Sequence, residues 1–312
     1  YHLGQLEPRC RCGSERMKPS RLTIAIPYLW LAVLFLAPFF IVIKMSLSDL
    51  AVSIPPYTPQ LDLSGGWETV KKYWAALDFE NYEWLADDPL YANSFKSSLV
   101  IASISTFITL CVGYPIAYAL ACSSPRWRPV LVMLVILPFW TSFLIRVYAW
   151  IGILKTEGLL NQLLLAVGVI GEPLTILNTN TAVYIGIVYS YLPFMVLPIY
   201  AALEKMDFSL LEAAEDLGSS RLSAFWLVTL PLSLPGVIAG CFLVFIPAMG
   251  EFVIPDLLGG SETLMIGKTL WVEFFSNRDW PVASAVAVVL LVLLIVPIVL
   301  FQRQQQKLSE AR

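Results

Sequence analysis

Histidine is almost missing from this chain: one imidazole, His2, serves 312 residues. A single ring at the extreme end supplies no Ser–His pair and no imidazole metal cluster, which excludes the commonest hydrolytic and zinc-based chemistries. Charge is scarce as well. Asp, Glu, Lys and Arg make up 14% of the residues, where soluble domains carry about a quarter. The five cysteines form no metal pattern. Cys10 and Cys12 make a C-x-C without a second pair, and Cys111, Cys122 and Cys241 sit in or beside apolar runs, where a lone thiol packs as a small hydrophobe. What fills the chain is apolar: 58% hydrophobic residues and a mean hydropathy of +0.73, a membrane composition. The net charge of −3 says less than its distribution does.

A bilayer core asks for about 20 apolar residues per helix. Six segments meet that length, at 24–45, 97–122, 130–152, 181–203, 233–257 and 282–301. The first is too long for a cleaved leader and no small-residue cleavage site follows it, so it reads as a retained helix. Pro38, Pro115, Pro138, Pro193 and Pro247 fall inside spans, where neighbouring helices tolerate them. The fold class is therefore an all-α integral membrane protein of six transmembrane helices.

Lys and Arg set the orientation. Arg9, Arg11, Arg16, Lys18, Arg21, Arg126, Arg128, Lys205, Arg221, Arg303, Lys307 and Arg312 place twelve bases on one side. The other side has six: Lys71, Lys72, Lys96, Lys155, Lys268 and Arg278. Both termini and the 204–232 connection are thus expected in the cytoplasm. The first outer loop, from 46 to 94, carries Asp49, Asp62, Glu68, Asp78, Glu80, Glu83, Asp87 and Asp88. Two readings stand side by side: a negative mouth that attracts cations or a cation-loaded partner, or an ordinary solvated loop. No nucleic-acid partner is expected.

One stretch, LLEAAEDLGSSRLSAFWLVTLPLSLPG at 210–236, is charged where its flanks are not. Five acids and two bases fall between Glu204 and Arg221. Ser209 is placed to cap a helix, with Glu212 closing a capping box. Leu211, Ala214 and Leu217 share its apolar face, and Gly218 is its stop. Leu222, Phe225 and Trp226 begin a second helix before Pro231 and Pro235. Such a helix–turn–helix is too polar to cross a bilayer and too amphipathic for a free loop, and its small residues admit a close partner.

The spacing Glu212-Ala213-Ala214, Gly218, Val228 and Leu230-Pro231 resembles the EAA–G–I–LP signature of ABC importer permeases, with Val for Ile at 228. The resemblance implies a type I permease fold and a coupling loop at 204–232 that docks on an ATPase subunit. PFWTSFLIRVYAWIGILK (138–155), VYIGIVYSYLPFMVLPIY (183–200), FIPAMGEFVIPDLLGG (245–260) and NRDWPVASA (277–285) resemble the polyamine permeases. With IPPYT (54–58) and DDPLY (87–91), they are most similar to the putrescine type. That resemblance runs from about residue 22 to 302, so residues 1–16 do not match and Met17 offers an alternative start. It implies tails at 1–22 and 303–312, a first helix at 23–45 and a permease core at 95–302 in a cell inner membrane. It further implies a second homologous permease subunit, two ATPase subunits holding ATP and Mg, and a periplasmic binding protein that delivers polyamine cargo.

Gly267-Lys268-Thr269 mimics the end of a phosphate-binding loop, but Glu262 stands where its first glycine is needed. No nucleotide cofactor is expected in this chain. For a polyamine the useful groups are carboxylates and aromatic faces, each cation–π contact contributing about 0.5–2 kcal/mol. Glu251, late in the fifth span, is the leading carboxylate, with Asp256 beyond it. One competing reading pairs Glu251 with Arg146 of the third span as a structural ion pair, and another leaves both near the outer interface. Trp140, Phe143, Val147 and Trp150 fall on one helical face, with Tyr148 alongside. Tyr184, Tyr191 and Met195 form another stripe, with Tyr189 beside it. These aromatics fit packing or interfacial belts and, alternatively, a cation path. Other cargo, spermidine or another small solute, fits the same signature. A self-sufficient transporter or channel leaves the 212–231 spacing unexplained.

Overall fold

The structure, a computed structural model, describes residues 21–60, 71, 74–207 and 209–310. His2, Cys10, Cys12, the 1–16 tail, Asp62, Glu68, Lys72 and Arg312 lie outside the described residues. The first helix, α1 (Arg21–Ser46), leads into a two-residue antiparallel hairpin, β1 (Asp49–Leu50) with β2 (Tyr57–Thr58). A short helix α2 (Glu80–Asp87) is tied back to the end of α1. Asn81 Nδ2 donates to the carbonyls of Ser46 and Ser48 at 3.1 and 2.8 Å, and the Ser46 and Tyr82 hydroxyls bond at 2.7 Å.

Three long helices make the core: α3 (Pro89–Cys122), then α7 (Asn180–Glu204), then α10 (Leu230–Met249), each packed against the other two. Helices in lipid gain little from burying apolar surface, so small residues and interhelical hydrogen bonds decide their packing. Here Tyr114 of α3 bonds Ser233 of α10 at 2.9 Å, over a cluster of Ala117, Met195, Val196 and Ile199. α3 begins at Pro89, well before the span expected at 97. Asp88 caps it, accepting from the Leu90 N–H at 2.8 Å, and Pro89 has no N–H to leave unpaired.

The segment expected as a straight span over 130–152 is broken. α4 (Arg128–Ile136) tightens into a 3₁₀ turn at Leu137–Trp140, and α5 (Phe143–Leu154) starts after two extended residues. The arms Arg128–Trp140 and Phe143–Ala166, the latter including α6 (Leu159–Ala166), meet at 89°. At the break the Pro138 carbonyl accepts from the Thr141 hydroxyl at 2.8 Å and the Thr141 N–H at 3.4 Å, and Thr141 itself is extended. The expected common face of Trp140, Phe143, Val147 and Trp150 is lost with that bend.

The fifth span also ends early, at Met249; α11 (Val253–Leu257) is a separate turn after Gly250. α12 (Ile266–Trp271) runs into a π-helical stretch, Val272–Asn277, and the last helix α13 (Trp280–Glu310) packs on α1. Among the described residues four helices are long and apolar enough to cross a bilayer: Ala25–Ser46, Pro89–Cys122, Asn180–Glu204 and Arg221–Met249. The bent pair is a fifth if it counts as one span, and Trp280–Val296 is a shorter apolar helix.

Candidate functional site

The charged stretch folds as a helix–turn–helix at one end of the core. α8 (Ser209–Asp216) follows α7 almost directly. Its cap is Asp207 rather than Ser209: the Asp207 carboxylate accepts from the Ser209 N–H at 3.0 Å, and Ser209 already lies in the helix. That backbone hydrogen bond holds the Asp207 carboxyl below the usual carboxylate range. At the far end Gly218 adopts φ +89°, with its N–H on the Glu215 carbonyl (2.9 Å) and the Ser219 N–H on the Ala214 carbonyl (3.0 Å). This is a Schellman stop, in the left-handed region that glycine enters without a Cβ penalty.

Ser220 then caps α9 (Arg221–Ala224), accepting from the Ser223 N–H at 3.2 Å. A π-helical turn at Phe225–Thr229 leads into α10, with the Leu230 N–H reaching back to Phe225. The wider turn makes room for Pro231, whose ring would collide with the carbonyl four residues back in a regular helix. Leu211 and Ala214 are half-buried, but Leu217 is 89% exposed and does not join their face. With Leu222 at 71%, Leu227 and Trp226, it makes an exposed apolar rim on the stretch that follows α8, which no other described residue covers. A cleft of about 570 Å³ opens between the end of α7, the start of α8 and α10, lined by Pro198, Ala202, Asp207, Leu210 and Pro235.

Glu251 lies at the other end of α10, about 30 Å away at 1.5 Å per residue. It is 7% exposed. One carboxylate oxygen accepts from the Tyr191 hydroxyl; the other accepts from the N–H groups of Val253 and Ile254, at 3.1 and 3.4 Å. These neutral donors solvate the acid without neutralising it.

Arg146 forms no ion pair with Glu251, correcting the expected structural pair. Its guanidinium lies over the Phe139 and Phe143 rings, 5.0 and 5.7 Å from their centroids, and its buried Nε and Nη1 have no acceptor. Between the two charges runs a line of rings: Phe139 packs edge-on against Phe194 at 5.1 Å, and Phe194 lies 6.2 Å from Tyr191. Phe139 and Phe194 escape a reading of the sequence because nothing distinguishes them from other core phenylalanines.

The remaining expected residues divide. Trp150 meets Tyr189 edge-on at 5.3 Å, and Tyr184 packs on the core with Tyr191. Trp140 and Tyr148 are 71% and 59% exposed and touch neither charge. Asp256 is turned away into a 3.3 Å ion pair with Lys268. The Gly267-Lys268-Thr269 triplet is structural throughout. Thr269 donates to Ser94 at 3.2 Å, Lys268 holds Asp256, and Gly267 lies against the backbone of Gly250 and Glu251. A Cβ on Gly267 would fall 2.4 Å from the Gly250 carbonyl oxygen. Gly267→Ala is therefore expected to destabilise the purified protein by about 1–3 kcal/mol in a thermal melt, as overpacking does. Lys268→Ala, which removes a partly exposed ion pair, should change stability by less than about 1 kcal/mol.

A glycine-stopped helix–turn–helix thus stands at one end of the core and a buried acid at the other. The Haemophilus influenzae protein named spermidine/putrescine transport system permease protein PotB is 41% identical over 292 residues, covering 94% of this chain and 96% of that one. The Escherichia coli K12 protein of the same name is 45% identical over 231 residues, covering 74% and 84%. In fold, the chain is similar to a bacterial alginate ABC transporter, solved as a crystal structure in complex with an alginate pentasaccharide-bound periplasmic protein. The TM-score is 0.67 at 15% identity, with 92% and 94% of the chains covered. A family model matches residues 90–309, from the first turn of α3 through the loop and Glu251 to α13, and the chain belongs to that family, the binding-protein-dependent transport system inner membrane components.

Proposed function

We propose that this chain is the membrane permease subunit of an ATP-driven polyamine importer. Its Lys and Arg asymmetry supports a cytoplasmic location for both termini and the 204–232 loop. With the bent pair and α13 each counted as a span, the total is six. A second homologous permease completes the pathway, a periplasmic binding protein delivers cargo, and two separate ATPase subunits bind ATP and Mg. The observation that carries this reading is the α8 unit itself: a capped helix, a Schellman stop at Gly218 and an uncovered rim of Leu217, Leu222 and Trp226. An exposed apolar rim on a rigid polar loop is a surface shaped for a partner groove.

Cargo chemistry follows from the other end. A diamine is two ammonium groups on an apolar tether; Glu251, with Tyr191, offers charge and an aromatic face where water is excluded. Putrescine is the cargo indicated by the sequence resemblance, and the relatives' names add spermidine. Reconstitution into liposomes with a second permease, the ATPase and the binding protein should give ATP-dependent uptake of labelled putrescine. ATP-dependent uptake of spermidine alone would keep the machine and change the cargo. Uptake by this chain without ATPase would replace the importer reading with a self-sufficient carrier or channel.

A further inference from the structure

Arg128 stands where three segments meet. Its Nη2 donates to the carbonyls of Ala121 and Ser123, at 2.9 and 3.2 Å, which ends α3. Its Nη1 pairs with the Glu204 carboxylate at 3.3 Å, at the last residue of α7 and three residues before the Asp207 cap of α8. The Nε is buried without an acceptor, so the other two nitrogens set the position of the guanidinium. Both side chains are partly exposed, and pairs of that kind add about 0–1 kcal/mol to stability. The two carbonyl bonds hold the end of α3, but holding the fold together is a poor account of the Arg128–Glu204 pair itself.

Its position gives a better one. Among the described residues, Arg128–Glu204 is the one ion pair between Arg128–Trp140 and α7. At the other end of that same arm, Phe139 packs on Phe194 of α7, beside the tyrosine that holds Glu251. The arm Arg128–Trp140 is thus pinned to α7 at two points, one next to the loop and one next to the buried acid. Beyond the second pin the chain bends by 89°.

We propose that Arg128 and Glu204 are positioning residues that carry movement of the 205–231 loop into the bent arm, and through Phe139 and Phe194 to Tyr191 and Glu251. The inference rests on the loop being the ATPase dock, and its test separates the two ideas. In the reconstituted complex, Glu204→Gln and Arg128→Gln should each lower polyamine uptake per ATP hydrolysed by about fivefold, the scale of one coupled pair. The ATPase should still co-purify. The exchanged pair Arg128→Glu with Glu204→Arg should recover more uptake per ATP than either glutamine variant. Unchanged uptake per ATP in both single variants would overturn the link, as would an exchanged pair no better than the singles. Where a glutamine variant fails to reach the membrane, Glu204→Asp serves instead: it keeps the charge, and an intermediate loss of coupling is expected from it, full coupling being the contrary result. Failure of the unsubstituted chain to bind the ATPase would instead remove the docking reading, before any variant is made.

Discussion

Gly218→Asp is expected to abolish ATP-driven uptake while the chain still inserts in the membrane at normal amounts. At φ +89° any side chain costs about 1–2 kcal/mol through the clash of its Cβ with the following carbonyl. Aspartate adds a charge at the C-terminal end of α8, where the helix dipole is negative and Glu215 and Asp216 already stand. The Glu215–Arg221 pair, at 3.6 Å with Arg221 almost wholly exposed, offers little compensation. Both effects favour opening of the Schellman turn, which displaces Leu217 and Leu222 relative to α8. Gly218→Ala separates the two contributions. Space around this glycine is open, with nothing within 4 Å of where a Cβ would stand, so alanine meets backbone strain alone. ATPase co-purification should weaken about tenfold with alanine, the equivalent of that strain, and vanish with aspartate. Normal uptake by Gly218→Asp would take the docking role away from this loop.

The loop is the most legible part of the sequence because its structure is local. Gly218 as a stop, the short helix before it and the fresh start near Leu222 all depend on residues within a few positions of one another. Even there the cap slips by two residues, since Asp207 and Ser209 are both good caps and only the path of α7 decides between them. The bend at Thr141–Ser142 is not legible. Pro138 looks like Pro115 or Pro193, which sit within continuous helices; the difference lies in α5 finding its own packing against α7 and α11. Long-range partners are the least legible. Glu251 and Arg146 are opposite charges at a similar expected depth, so pairing them is reasonable on charge alone. Two backbone N–H groups just after Glu251 and one tyrosine hydroxyl satisfy the acid instead, and the bend leaves Arg146 among phenylalanines. Arg128 and Glu204 enter a sequence reading only as charges to be counted, because their meeting depends on α3 and α7 ending side by side.

Glu251→Gln is expected to lower uptake by about tenfold to a hundredfold, the scale of losing one charge-assisted interaction with a cationic group. Glutamine is the informative replacement because it fits the same bonds. Its oxygen accepts from the Val253 and Ile254 N–H groups, and its amide donates to the Tyr191 oxygen, which accepts as readily as it donates. The charge goes and the packing stays. Amount in the membrane and ATPase co-purification should therefore match the unsubstituted chain, with the loss confined to cargo movement. Tyr191→Phe makes the complementary change: it removes one donor, leaves the carboxylate in place and should cost about 1 kcal/mol of stability, with a smaller loss of uptake than Glu251→Gln. If Glu251→Gln instead lost assembly while its residual complexes transported normally, Glu251 would be a structural acid that closes the α10–α11 turn. If neither variant changed uptake, the cargo route would lie elsewhere and the Trp150–Tyr189 pair would be the next place to test. The first result ties a buried charge to a cationic cargo; a charge without that use would be a costly thing to keep at 7% exposure in a chain where so few charges are kept at all.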